Sequence, residues 1–153
     1  TLSRWVVANR GDLRGPDGLP IWKPPYSRII AIDMHTGEFL WETPNGDTPR
    51  HIREHPRLQG LDIPPTGQIV HGVTMPTKTL LLTAPGGDAV LYALDKRSGK
   101  RLGTVGLPAP GQYGMMGYLH EGRQYVVVQI ASGTVPGSLV ALRLPAPASG
   151  VKH

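Results

Sequence analysis

Ala31-Ile32-Asp33-Met34-His35-Thr36-Gly37-Glu38 is answered 62 residues later by Ala93-Leu94-Asp95-Lys96-Arg97-Ser98-Gly99-Lys100. Each copy follows an apolar run of strand length, Arg28 to Ile32 and Ala89 to Leu94, and leads into a second run. The unit therefore reads as strand, tight Asp-x-x-Ser/Thr-Gly turn, strand. In such a turn the Asp carboxylate accepts backbone N–H groups, and Gly takes the positive φ that other residues resist. A third strand pair, Arg123 to Ile130 and Ser138 to Leu144, follows without the turn motif.

Further apolar runs lie at Trp5 to Ala8 and Thr79 to Thr83. The run Tyr125 to Val128 is continuous, as in strands covered on both faces. The chain carries 20 Gly and 16 Pro among 153 residues, and these punctuate the apolar runs, at Asn45-Gly46 and Pro85-Gly86-Gly87 for example. This is the pattern of an all-β protein and excludes a long helical bundle. Repetition of one antiparallel unit points to a β-propeller, whose blades span roughly 40–50 residues. The spacing here is longer because residues 47–67 form an insertion. In it Thr48 is expected to cap one helical turn, with Pro49 at the first position and Pro56 as the stop. The implied division is the end of one blade over 1–46, a complete blade over 47–109, an incomplete closing blade over 110–145 and a tail over 146–153.

Composition narrows the chemistry. With no Cys, a disulfide framework, a Cys-type zinc site and a thiol nucleophile are all excluded, while the redox compartment stays open. No apolar run approaches the roughly 18–20 residues of a spanning helix, and no signal-peptide pattern opens the chain. It begins at Thr1 and is read as processed or truncated. The net charge of +5 is scattered; its one cluster, Arg50, Arg53 and Arg57, includes Glu54 and reads as a solvated loop, not a nucleic-acid surface. His51-Ile52-Arg53-Glu54-His55 spells an H-x-x-E-H zinc pattern, but Pro56 ends the helix it needs and no third ligand is evident. Arg10-Gly11-Asp12 is read as a polar loop. No Ser-His-Asp arrangement, P-loop or dinucleotide fingerprint is visible.

Ala31-x-Asp33-x-x-Thr36-Gly37-Glu38-x-x-Trp41 resembles the tryptophan-docking motif of the pyrroloquinoline-quinone (PQQ) dehydrogenases. Leu19-Pro20-Ile21-Trp22-Lys23-Pro24-Pro25-Tyr26 resembles the entry to a late blade of their glucose-dehydrogenase-like members. Leu107 to Gln112, Met116, Tyr118 and Gly122 to Val127 resemble their closing blade in order and spacing. The likeness runs from residue 19 to 144. It departs at Gly103, where the second copy would carry Trp, at Gly114 to Tyr118, where the family reads Thr-Pro-Met-Thr-Tyr, and at Gly133, where some sugar-oxidising members place His.

The resemblance implies a partial propeller, about two and a half blades of an eight-bladed ring. It implies a dehydrogenase that oxidises an alcohol or sugar hydroxyl and passes electrons to a cytochrome or ubiquinone at the periplasmic face of a bacterial inner membrane. Its cofactors would be PQQ and Ca²⁺, with the base, the ion ligands and the stacking Trp supplied by earlier blades. On this chain the cofactor-facing candidates are Gly72, Val73 and Thr74 at an inner strand start, Asp88 in the loop before the second motif, and Trp22. No catalytic residue or metal ligand is assigned within it. The rival reading is a non-catalytic propeller scaffold built on the same repeat.

Overall fold

The computed structural model describes residues 13–144, so Trp5 to Ala8, Arg10-Gly11-Asp12 and the tail lie outside the described residues. Three antiparallel sheets follow one another along the chain. The first pairs β1 (Arg28–Ile32) with β2 (Phe39–Pro44). The second is a four-stranded meander of β3 (Val73–Pro76), β4 (Leu80–Ala84), β5 (Val90–Asp95) and β6 (Arg101–Gly106). The third runs β7 (Gly111–His120), β8 (Arg123–Ile130) and β9 (Ser138–Arg143). This is an open, partial β-propeller, as the repeat implies.

The two repeat copies fold alike, because the motif satisfies its own backbone. In the first turn His35 N–H and Thr36 N–H donate to Asp33 Oδ1 at 2.7 and 3.3 Å, and Gly37 sits at φ 76°. In the second Arg97 N–H and Ser98 N–H donate to Asp95 Oδ1 at 3.1 and 2.8 Å, and Gly99 sits at φ 71°. Both hairpins also shift register at the same point, after Ala31 and after Ala93.

The core lies between the second and third sheets, where Leu82, Ala84, Leu91, Leu107, Ala109, Val128 and Ile130 are buried together. β3 and β7, the leading strands of their sheets, pack side by side. β7 is the longest strand and is not among the apolar runs of the sequence, because Gly111, Gly114 and Gly117 interrupt it. Gly111 serves close approach: a Cβ there would stand 2.5 Å from Ala84 Cβ and 3.1 Å from Val128 Cγ1. By contrast, the first sheet is half bare, with Ile32 46% and Phe39 69% exposed.

The insertion differs from expectation in one detail. Helix α1 (Arg50–Arg53) has Pro49, not Thr48, at its N-cap, and no side chain caps it. Thr48 Oγ1 instead donates to the Pro64 carbonyl at 2.9 Å, tying the two ends of the insertion together. Pro56 opens a 3₁₀ turn (Pro56–Leu58) instead of merely ending the helix. Both ring nitrogens of His55 are engaged, Nε2 with the Asp17 carbonyl and Nδ1 accepting from Arg57 N–H, and Glu54 pairs with Arg50. The H-x-x-E-H string therefore serves the loop's own structure.

Candidate functional site at the leading ends of β3 and β7

Trp41 fixes how the first sheet meets the second. Its indole N–H donates to the Lys96 carbonyl at 3.1 Å, and its ring lies on Gly99, where a Cβ would stand 2.6 Å from the ring. Both partners belong to the second copy of the motif, so the second turn is the landing place for the first copy's Trp. Gly103 occupies the Trp position of the second copy, and a Cβ there would meet nothing within 4 Å. The third sheet has no motif turn for it to reach.

Three of the candidates lie together with the loop that carries a fourth. His71 and Gly72 precede β3 and lie against the β4–β5 loop; a Cβ on Gly72 would stand 2.6 Å from the Ala84 carbonyl and 2.8 Å from the Pro85 backbone. A Cβ on Gly86 would collide with the His71 carbonyl. Val73 pairs with Ala84 and Thr74 with Thr83. Val73 turns toward the core, while Thr74 is exposed. Asp88 follows in the same loop. Trp22, before β1, packs edge-on against Tyr26 with ring centroids 6.5 Å apart.

Beside this end of the sheet lies a recess of about 350 Å³, lined by Ile69, Val70, His71, Gly86, Gln112 and Tyr113. Tyr113 is 83% exposed and held at φ 57°, a conformation unusual outside glycine. Of the candidates, none lines the recess itself; their neighbours His71 and Gly86 do.

Behind the recess a polar cluster joins the insertion to the second sheet. Arg101 pairs with Asp47 at 2.8 Å and lies 3.8 Å over the Tyr92 ring, while the Tyr92 hydroxyl donates to Asp47 Oδ2 at 3.0 Å. Thr83 Oγ1 donates to Asn45 Oδ1 at 2.9 Å. Gln68 donates to Asp88 Oδ2 at 2.7 Å and to the Asp47 carbonyl at 3.1 Å. These partners escaped sequence reasoning, which read Asn45-Gly46 only as turn chemistry.

The cluster titrates in opposite directions at its two ends. Burial and then the Asp47 hydrogen bond push the Tyr92 phenol up to about 12. Burial raises Asp47, but hydrogen bonds from Arg101 and Tyr92 outweigh it and hold the carboxyl below its usual value. The fold therefore prefers neutral Tyr92, whose contribution is complete below pH 10.0 and lost as pH rises toward about 12. It prefers ionised Asp47, whose contribution is complete above pH 3.8 and lost as pH falls through the lowered value. Melting temperature followed from pH 9 to 12 should fall less steeply in Tyr92→Phe than in wild type, by about a few degrees over that range. An identical alkaline limb would remove Tyr92 from the account.

The family profile described as PQQ: Glucose/ethanol/alcohol dehydrogenase, beta-propeller domain matches residues 3–126. The chain belongs to the PQQ-dependent quinoprotein dehydrogenase family. It is 35% identical over 118 residues to a probable quinate dehydrogenase (quinone) of Xanthomonas campestris pv. juglandis, covering 72% of this chain and 14% of that protein. It is 31% identical over 135 residues to the quinoprotein glucose dehydrogenase of Escherichia coli (strain K12), covering 85% and 17%. It is 31% identical over 120 residues to the glycerol dehydrogenase large subunit of Gluconobacter oxydans (strain 621H), covering 72% and 15%. The quinoprotein chain thus spans from 14% to 17% of the length of these relatives.

A cofactor of this family is a flat quinone bearing carboxylates, which needs apolar walls and polar hydrogen-bonding atoms at its edge. Ile69, Val70 and Tyr113 supply the first, and His71, Gln112 and the Gly86 backbone the second. These residues fit one wall of such a site. No Lys or Arg lines the recess, so counter-charge for the carboxylates has to come from elsewhere. Among the described residues no helix is long and apolar enough to cross a membrane.

Proposed function

We propose that this chain is the C-terminal part of a PQQ-dependent dehydrogenase that oxidises an alcohol or sugar hydroxyl and passes the electrons to a cytochrome or ubiquinone. The observation that carries the reading is the Trp41–Gly99 docking within a segment matched by the family profile. Glucose, quinate and glycerol, named in the relatives, all bear secondary or primary hydroxyls on polyhydroxylated carbon frames. In this reading the three sheets belong to blades bounded at 1–46, 47–109 and 110–145. The location is periplasmic, or the periplasmic face of the inner membrane. Ca²⁺ serves as the ion, with its ligands and the catalytic base outside this chain.

PQQ, when bound, supplies the two-electron acceptor for the substrate's hydride. This chain's part is to build one rim of the pocket. Gly72, Val73 and Thr74 offer their backbone from beside the β4–β5 loop, where a larger residue than Gly72 would strike Ala84 and Pro85. Asp88 presents a carboxylate from the adjoining loop, held by Gln68. Trp22 contributes an aromatic face from the segment before β1.

The test is reduction of a redox dye by the full-length protein with PQQ and Ca²⁺, offered glucose, quinate, glycerol and ethanol. Turnover of at least one hydroxyl substrate is expected, and Asp88→Asn should lower it about tenfold while leaving the melting temperature within about 2 °C. Absence of any turnover in a protein that folds would favour the scaffold reading. Lowered stability with unchanged kinetics would return Asp88 to the role of a turn residue.

A further inference from the structure

Gln68 is only 4% exposed, and both hydrogens of its Nε2 are committed, one to Asp88 Oδ2 at 2.7 Å and one to the Asp47 carbonyl at 3.1 Å. Two oxygen partners fix which way the carboxamide points, since the flipped amide would set its own oxygen against a carboxylate and a carbonyl. The side chain is boxed as well. A Cβ on Gly87 would run into Gln68 Oε1, and one on Gly46 would stand 3.3 Å from its Cγ. The backbone beneath is pinned where the insertion rejoins the exit of β2: Gln68 N–H donates to the Asn45 carbonyl at 3.1 Å, and Gly67 N–H to the Gly46 carbonyl at 3.2 Å.

We propose that Gln68 is a positioning residue for Asp88. Its carboxamide holds one carboxylate oxygen, which sets the bearing of the other, and ties the β4–β5 loop to the insertion through Asp47. Asp47 is itself held by Arg101 and Tyr92, so the Asp88 carboxylate is aimed by a chain of contacts that leaves its own sheet for the insertion and returns to that sheet at β5 and β6. This inference rests on the reading of Asp88 as a residue that faces the quinone pocket.

Gln68→Met keeps the length and loses both donors; Gln68→Asn keeps the donors and withdraws them by one methylene. Each is made in the full-length protein, alone and with Asp88→Asn, and PQQ binding is read by fluorescence titration alongside kcat, KM and melting temperature. We expect Gln68→Met and Gln68→Asn each to weaken PQQ binding about tenfold, with KM for the hydroxyl substrate unchanged. Added to Asp88→Asn, either should weaken it by no more than about twofold further, because the carboxylate that Gln68 aims is no longer there. Full additivity, or a change in melting temperature with PQQ binding unmoved, would overturn the positioning role and leave the Asp88 reading intact. If Asp88→Asn itself leaves PQQ binding and turnover unchanged, the underlying reading has failed instead. Should Gln68→Met not fold, Gln68→Asn decides alone.

Discussion

Trp41→Ala in the full-length protein should cost about 3 kcal/mol of stability, near the lower end for emptying a buried aromatic site because the indole is only half-buried. Two losses combine: the ring's packing on Gly99, and the hydrogen bond that satisfies the Lys96 carbonyl. The complementary change, Gly99→Ala, should cost about 2–3 kcal/mol from the other side of the contact. It places a Cβ on a residue at φ 71° and drives that Cβ to 2.6 Å from the indole. Urea unfolding followed by Trp fluorescence in wild type and by circular dichroism in the variants reads both. The pair should be far from additive, since Ala at position 99 has no ring to strike once Trp41 is gone. A loss below about 1 kcal/mol for Trp41→Ala would mean that the contact does not fasten the two sheets.

The 153-residue chain made alone is expected to associate and to bind PQQ without measurable affinity. The reason is visible in the distribution of burial. Leu40 and Phe39 are 61% and 69% exposed on the first sheet, and Leu139 is 73% exposed on the third sheet's last strand. Exposed strand edges and apolar faces of this kind recruit other chains. The recess offers one wall and no cationic group for a carboxylated quinone. Size-exclusion chromatography across a concentration series, with PQQ titration of the same samples, checks both statements. A concentration-independent monomer that binds PQQ one-to-one would overturn them.

Where water meets the apolar strands was not legible in the sequence. With neighbouring blades absent, the apolar stretches Leu80 to Leu82 and Val126 to Val128 would be expected to meet water at an open end. Instead Leu82 and Val128 are buried against each other's sheets, and the bare apolar surface lies on β1, β2, β6, the second half of β7 and β9. Periodicity marks strands but does not say which pair of sheets comes together. The turns and the docking Trp were legible because they are local: Asp33 and Asp95 bind N–H groups two and three residues on, and the Trp position follows at fixed spacing. β7 was hidden by its glycines, which lower strand propensity for the same reason that they permit close packing on Ala84. The Gln68–Asp88 bond joins residues 20 apart across β3 and β4, and no spacing rule announces it.

Gly103 leaves the second and third sheets without the indole peg that joins the first to the second. The two neighbouring joints are therefore built like different pieces of carpentry. One is nailed at a few points, by the Trp41 ring and its hydrogen bond at the turn and by the Asn45–Thr83 bond and Gly46 against Pro85 at the exit of β2. The other is glued along its face and leading strands, from Gly111 on Ala84 to Gly117 beside Met75. A nailed joint fails all at once when the nails are drawn, whereas a glued one loses strength gradually as its area is pared away. A few substitutions can therefore free the first sheet, but many are needed to part the other two.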